Sequence, residues 1–161
     1  HSKRNLIRQF KESCPDAEYK KLNENLARKC IDFSKTWLDK HPKSDLPSLQ
    51  REVETSIKML KHKEWLNLSG GAIIDGERII GYALGEPLNE ETFVVRVEKA
   101  DTSVKGSYQI LNQQFVTNTA EDYKWINREQ DLGVPGLRKA KKSYHPDHLL
   151  RKFKISSSMK K

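Results

Sequence analysis

Apolar positions recur along this chain with two different periods, and the change between them falls near residue 70. Before that point apolar side chains sit three and four residues apart, the spacing of helices with one buried stripe. Leu6, Ile7 and Phe10 predict a short basic helix over 3–13, stopped by Pro15. Leu26, Cys30, Phe33 and Trp37 predict a second over 23–40, closed by His41-Pro42. Leu49, Val53, Ile57 and Leu60 predict a third from Pro47 to Lys63, with Pro47 in the first turn, where its missing N–H costs nothing. All three stripes read as core.

Beyond residue 70 the period shortens to two. Residues 71–84 predict a hairpin turned at Asp75-Gly76. A third strand is expected over Thr92–Val97, with Phe93, Val95 and Val97 on one face. A loop over 101–106 then opens a helix over 107–116 that buries Tyr108, Leu111 and Phe115. A strand over 123–127, a short helix over 135–144 and a last strand over 149–155 follow, and the polar tail 156–161 is expected to be disordered. Helices leading into an antiparallel meander, then strand–helix alternation, predict an α+β fold. Its mixed, mostly antiparallel central sheet would be flanked by helices. The length suits a single domain over 1–155.

Charge changes this picture more than composition does. The formal net charge is +8, so polyanions such as RNA, a phosphate-bearing cofactor or an anionic lipid surface are the expected partners. Two cysteines are too few for a disulfide framework or a structural zinc site. Cys30 lies on an apolar stripe, which predicts a buried, reduced thiol and a cytoplasmic setting. Apolar runs are only a few residues long, too short for a transmembrane helix.

Three clusters are candidates for chemistry. The first joins a strand to a helix, where free backbone N–H groups favour an anion. There Lys99 and Lys105 supply charge, Gly106 permits close approach and Ser107 offers a hydroxyl. The alternative is an ordinary crossover capped by Asp101, Thr102 or Ser103. In the second, if extension persists, Asn127, Glu129 and Asp131 share one face and Arg128 and Gln130 the other. Glu129 is then a general base or the pin of a cation, and Asp131 a catalytic carboxylate or the cap of the turn before Gly133. The third is the basic helix carrying Arg138, Lys139, Lys141 and Lys142. Their mutual repulsion invites a bound anion or a nearby carboxylate, and Tyr144 beyond them is a possible acid or a core residue. The second and third clusters are expected to converge on one pocket. No metal motif, nucleophile elbow or dinucleotide fingerprint is present.

The run from Glu98 through Gly106 to Phe115, with Asn127-Arg-Glu-Gln-Asp-Leu-Gly133 and Gly136-Leu-Arg-Lys-Ala-Lys141-Lys-Ser-Tyr-His-Pro146, resembles the phosphatidylglycerol lysyltransferase C-terminal-like family. The likeness covers nearly the whole chain. It implies a GNAT-like fold, as in acyl-CoA N-acyltransferases and aminoacyl-tRNA-dependent transferases, and places this chain as the second of two tandem lobes, the first being a missing partner. Val104-Lys-Gly-Ser107 departs from the glycine-rich pyrophosphate loop of acetyltransferases. The resemblance therefore favours aminoacyl-tRNA over acyl-CoA as donor, with a lipid or amine acceptor at the inner membrane face. A non-catalytic lobe is the remaining alternative. On this reading Lys99, Lys105, Gly106 and Ser107 face the donor's phosphates, and Arg138, Lys139, Lys141 and Lys142 add a cationic helix. Glu129 is the base or orienting carboxylate and Tyr144 the acid.

Overall fold

The computed structural model describes residues 2–40, 46–131 and 133–153. It resolves into two compact units, 1–129 and 130–161. The first holds α1 (Ser2–Ser13), β1 (Glu18–Lys21), α2 (Glu24–Asp39), α3 (Leu46–Lys61), β2 (Ser69–Asp75), β3 (Arg78–Pro87), β4 (Thr92–Ala100), α4 (Ser107–Thr119) and β5 (Trp125–Asn127). The second contains α5 (Pro135–Lys142).

The five strands form one sheet in chain order, antiparallel except for the parallel pair β4–β5. A parallel neighbour needs a crossover, and α4 supplies it. One face of the sheet packs on α1 and α4 through Phe10, Ile73, Phe93, Ile110, Leu111 and Phe115. The other packs on α2 and α3 through Leu26, Cys30, Leu60, Ala72, Tyr82 and Leu84. Helices on both sides are what the reading of the periods required. Asn23 caps α2, its side chain accepting from the Leu26 N–H at 2.8 Å. Burial pushes the Cys30 thiol up to about 12, so this cysteine is inert.

Four differences from the expected pattern have physical causes. β1 escaped notice because its Glu-Tyr-Lys-Lys sequence shows no apolar alternation; only Tyr19 is half-buried, its hydroxyl bonded to Thr119 at 2.9 Å. The hairpin turn is centred on Gly76-Glu77, since Asp75 already pairs with Arg78, and the positive φ of 58° falls on Gly76. The stretch 149–153 is irregular, with Leu149, Leu150 and Phe153 exposed. The rest of that expected strand, the tail 156–161 and the His41-Pro42 stop lie outside the described residues.

The fourth difference governs the site. Gly85 pairs with Val95 but Leu84 pairs with Val97, so Arg96 has no partner on β3 and forms a bulge. Alternation slips by one residue there. Phe93 and Val95 join the α1/α4 core while Val97 joins the α2/α3 core, against the expectation that all three share a face.

α1 reaches the first turn of α4 at Gly106, which caps that helix with φ 83°. A Cβ added there would lie 2.2 Å from the Leu6 carbonyl oxygen, whereas one added at Gly76 would meet nothing within 4 Å. Gly76→Ala is therefore expected to cost only the left-handed backbone penalty, about 1 kcal/mol. Gly106→Ala should cost that plus overpacking against a backbone, about 3 kcal/mol. Urea unfolding of both variants measures the difference.

Candidate active site

The parallel contact between β4 and β5 covers only Thr92–Val94 opposite Trp125–Asn127. β5 then ends. The Asn127 side chain accepts the Glu129 N–H at 2.8 Å, and Glu129 adopts φ 55°, so the chain turns instead of extending. The expected common face of Asn127, Glu129 and Asp131 does not form. Among the described residues, β4 beyond Val94 has no strand beside it on this side.

Polar side chains gather where β5 leaves. Glu98, turned toward α4 by the bulge, accepts from Asn112 Nδ2 at 2.7 Å through one oxygen and from the Arg128 guanidinium through the other. Both members of this ion pair are largely shielded, with 13% of the Glu98 side chain and 24% of the Arg128 side chain exposed. Lys3 of α1 stands beside them. Burial, and next the Arg128 guanidinium, push its ammonium below the ordinary value, while Glu98 pulls the other way. Lys3, Arg128 and Glu98 thus share one partly desolvated corner.

A second cluster adjoins the bulge. Arg96 donates to Glu86 at 2.7 Å and to Glu129, and these two hydrogen bonds hold its pKa above the usual value. Of the two roles open to Glu129, the geometry matches the pin of a cation. Glu98, Asn112, Arg96, Glu86 and Lys3 were not singled out from the sequence. A bulge that puts Glu98 on the α4 face leaves no signal in a period-two pattern.

The first expected cluster is dispersed. Lys99 is fully buried on the opposite face, bonded to Glu52 of α3 at 2.7 Å, with its ammonium 4.1 Å from the centre of the Trp37 ring. It does not lie on a rim. Gly106 is approached by the backbone of α1, and the Ser107 hydroxyl donates to the Asp101 carbonyl at 2.8 Å. Only Lys105 is exposed. Asp101 does not cap α4 but closes a turn in the loop before it, its carboxylate accepting from the Ser103 N–H at 3.0 Å, the Ser103 hydroxyl at 2.7 Å, Arg78 at 2.8 Å and Lys40 at 3.3 Å. Burial pulls its pKa up, but the hydrogen bonds outweigh burial and leave it well below the ordinary value. Asp101, Arg78, Lys40, Trp37 and Phe33 also line a cleft of about 430 Å³ beside α2.

In the second unit, Asp131 accepts from the Gly133 N–H at 2.9 Å and from Arg138 at 2.6 and 3.2 Å. It has the turn-capping role. Arg138 foremost, then the Gly133 N–H, lowers the Asp131 pKa to about 2. Lys141 donates to the Gln130 carbonyl at 2.6 Å. Lys139 and Lys142 are exposed, and Tyr144 is half-buried. Glu129 and Lys141 belong to different units. Among the described residues no group of His, Cys, Asp and Glu could hold a metal ion, and no helix is long and apolar enough to cross a membrane.

The depressed Asp101 pKa sets a pH dependence. A carboxyl that ionises more readily folded than unfolded stabilises the fold above 3.8, its ordinary value, and loses that contribution as pH falls through the folded value. Asp101→Asn is therefore expected to destabilise the protein at pH 7, with the gap from wild type narrowing below pH 3.8. Denaturant unfolding across that range measures it; a gap independent of pH contradicts the assignment.

The comparisons bear on family and fold. The family described as phosphatidylglycerol lysyltransferase, C-terminal, matches residues 1–155. A conserved protein of unknown function from Bacteroides thetaiotaomicron VPI-5482 is 38% identical with a TM-score of 0.81, over 92% of this chain and 50% of that one. The present chain thus spans about half the length of that relative. A ribosomal-protein-alanine N-acetyltransferase from Brucella melitensis biovar Abortus 2308 aligns with a TM-score of 0.60 at 10% identity, over 88% of this chain and 99% of that one. AAC(6')-Iy, solved with a CoA-based bisubstrate analogue, aligns at 0.55 and 12%, over 88% and 98%. At such identities these two likenesses show the fold alone. No curated protein matches the chain. A mixed sheet with a bulged fourth strand and a diverging parallel fifth is thus a GNAT acyltransferase fold, and the chain belongs to the phosphatidylglycerol lysyltransferase C-terminal family.

Proposed function

We propose that this chain transfers an aminoacyl group from the ester linkage of a charged tRNA to a lipid hydroxyl or an amine. The observation that carries the reading is the hydrogen-bonded group of Glu98, Arg128 and Asn112, with Lys3 nearby, where β5 ends its pairing with β4. The acceptor's oxygen or nitrogen attacks the ester carbonyl, a tetrahedral oxyanion forms, and its collapse releases the ribose hydroxyl. The acceptor gives up one proton to solvent and the leaving ribose oxygen takes one up from solvent, so the transfer is proton-neutral. Such a reaction needs alignment, positive charge at the oxyanion and a route for one proton.

Arg128 and Lys3 supply the positive charge, and Glu98 with Asn112 aims the guanidinium. Glu129, tied to Arg96, acts as an orienting carboxylate rather than as the base. Lys105 is a proposed contact to the donor's phosphates. Asn127 contributes by ending β5 and setting the turn that presents Arg128. Arg138, Lys139, Lys141 and Lys142 draw the polyanionic donor through a salt-dependent attraction. A lipid acceptor, a companion lobe and attachment to the inner membrane face are supported by family membership alone.

Two measurements test the reading. Transfer of a labelled amino acid from charged tRNA to phosphatidylglycerol vesicles or to a soluble amine should fall about 100-fold in Arg128→Met, the usual loss when an oxyanion donor is removed. Replacing Lys139 and Lys142 with Gln should leave that chemistry intact but weaken tRNA binding and flatten its salt dependence. Equal binding of charged and uncharged tRNA, with no transfer to either acceptor, contradicts the proposal.

A further inference from the structure

We propose that Arg96 is a positioning residue for Arg128: by gripping Glu129 it fixes the turn that brings the Arg128 guanidinium to Glu98. This deepens the transfer reading above, on which its effect on rate rests. The first observation is a backbone outlier. Among the described residues, Asn67, Glu129 and His145 are the ones other than glycine with positive φ, and Glu129 has 55°. Asparagine and histidine enter that region more readily than most residues, whereas glutamate is not among the favoured types. Backbone strain of this kind persists where the surroundings over-determine it. Glycine would take the same conformation without steric cost, so what glutamate adds at 129 is its carboxylate. Arg96 holds that carboxylate, and the Asn127 side chain accepts the Glu129 N–H at 2.8 Å.

The second observation is the order of charges along β4. Backbone pairing with β5 ends at Val94 and Asn127. Beyond it Arg96 takes Glu129 and Glu98 takes Arg128, two ion pairs of opposite polarity on neighbouring residues of the turn. Exchanging the partners would set Arg96 against Arg128 and Glu98 against Glu129, like charge against like, so the charges admit one arrangement. Arg96 is itself anchored from the other side. It is the bulged residue, without a partner on β3, and its Nε donates to Glu86 at 2.7 Å while its Nη1 serves Glu129. A guanidinium is a planar, rigid fork, so fixing Nε on Glu86 also fixes the direction of Nη1. The place of Arg128 is thus referred to β3 through Glu86, Arg96 and Glu129. The Arg96 and Glu129 side chains are 32% and 34% exposed, and a pair so wet adds little to global stability. Its loss is expected to move the turn without unfolding the chain.

The test uses the full chain labelled with ¹⁵N, as wild type, Arg96→Met, Glu129→Ala, the double variant of these two, and Glu129→Gly. The side-chain signals of Arg128 and Asn112 report the group around Glu98 and need no substrate. Lys29→Met, which breaks the exposed Lys29–Glu77 pair elsewhere, is the control. Arg96→Met and Glu129→Ala are each expected to shift and broaden the Arg128 and Asn112 signals. The double variant should do so no more than either alone, because all three remove one contact. Glu129→Gly, which relieves the strain but also lacks the carboxylate, is expected to match Glu129→Ala. In the transfer assay kcat should fall about 10-fold in each, with KM for the charged tRNA unchanged, as misplacement of a reacting group predicts. Lys29→Met should move none of these.

Wild-type Arg128 and Asn112 signals in both Arg96→Met and Glu129→Ala overturn the proposal. So do wild-type signals in Glu129→Gly, since the turn would then need only its backbone. Altered signals with an unchanged kcat overturn Arg96 as a positioning residue for the reaction. Altered signals with no transfer by any form, wild type included, leave the placement of Arg128 by Arg96 standing and bring down the transfer reading instead. Should Arg96→Met fail to fold, Glu129→Ala and Glu129→Gly decide.

Discussion

The one-residue slip at Arg96 is the constraint on which the rest of the molecule depends. A strand can serve two cores only if its side chains alternate, and a bulge is the least disruptive way to change which residues serve which core. Before the slip, Phe93 and Val95 face α1 and α4; after it, Val97 and Lys99 face α2 and α3, and Glu98 faces α4. Without the bulge, Lys99 would point toward α4 and Glu98 toward the apolar surface of α2. The same slip leaves the Arg96 side chain to gather Glu86 and Glu129.

The two faces then use charge in different ways. Beside α2 and α3, charges are matched closely: Lys99 with Glu52 under Trp37, and Asp101 with Arg78, Lys40 and Ser103. Such pairs compensate desolvation and hold helices in register, but their valences are taken up internally. On the α4 side Lys3 and Arg128 both lie near Glu98, which also accepts from Asn112.

α1 connects these points. Its Phe10 completes the α4 core, its Leu6 carbonyl lies against Gly106, and its Lys3 stands near Arg128 and Glu98. At Gly106 the sequence suggested close approach by an anion. The approaching backbone is that of the protein itself.

Local pattern by itself determined the helices and most of the sheet. The stripes of Leu26, Cys30, Phe33 and Trp37, or of Val53, Ile57 and Leu60, carry their own period, and a glycine turn between β-branched runs signals a hairpin. The run Asn127 to Gly133 likewise marked the family. Tertiary structure alone decided what depends on partners remote in sequence: that β1 is a strand, since its charged residues pair with β2 and bury little; that Lys99 is interior while Glu98 joins Arg128 and Asn112; and that α1 sits on Gly106. A period reports which side of an element is apolar, but a bulge changes sides without changing composition, and the destination of a charge is set by which opposite charge the fold brings to it.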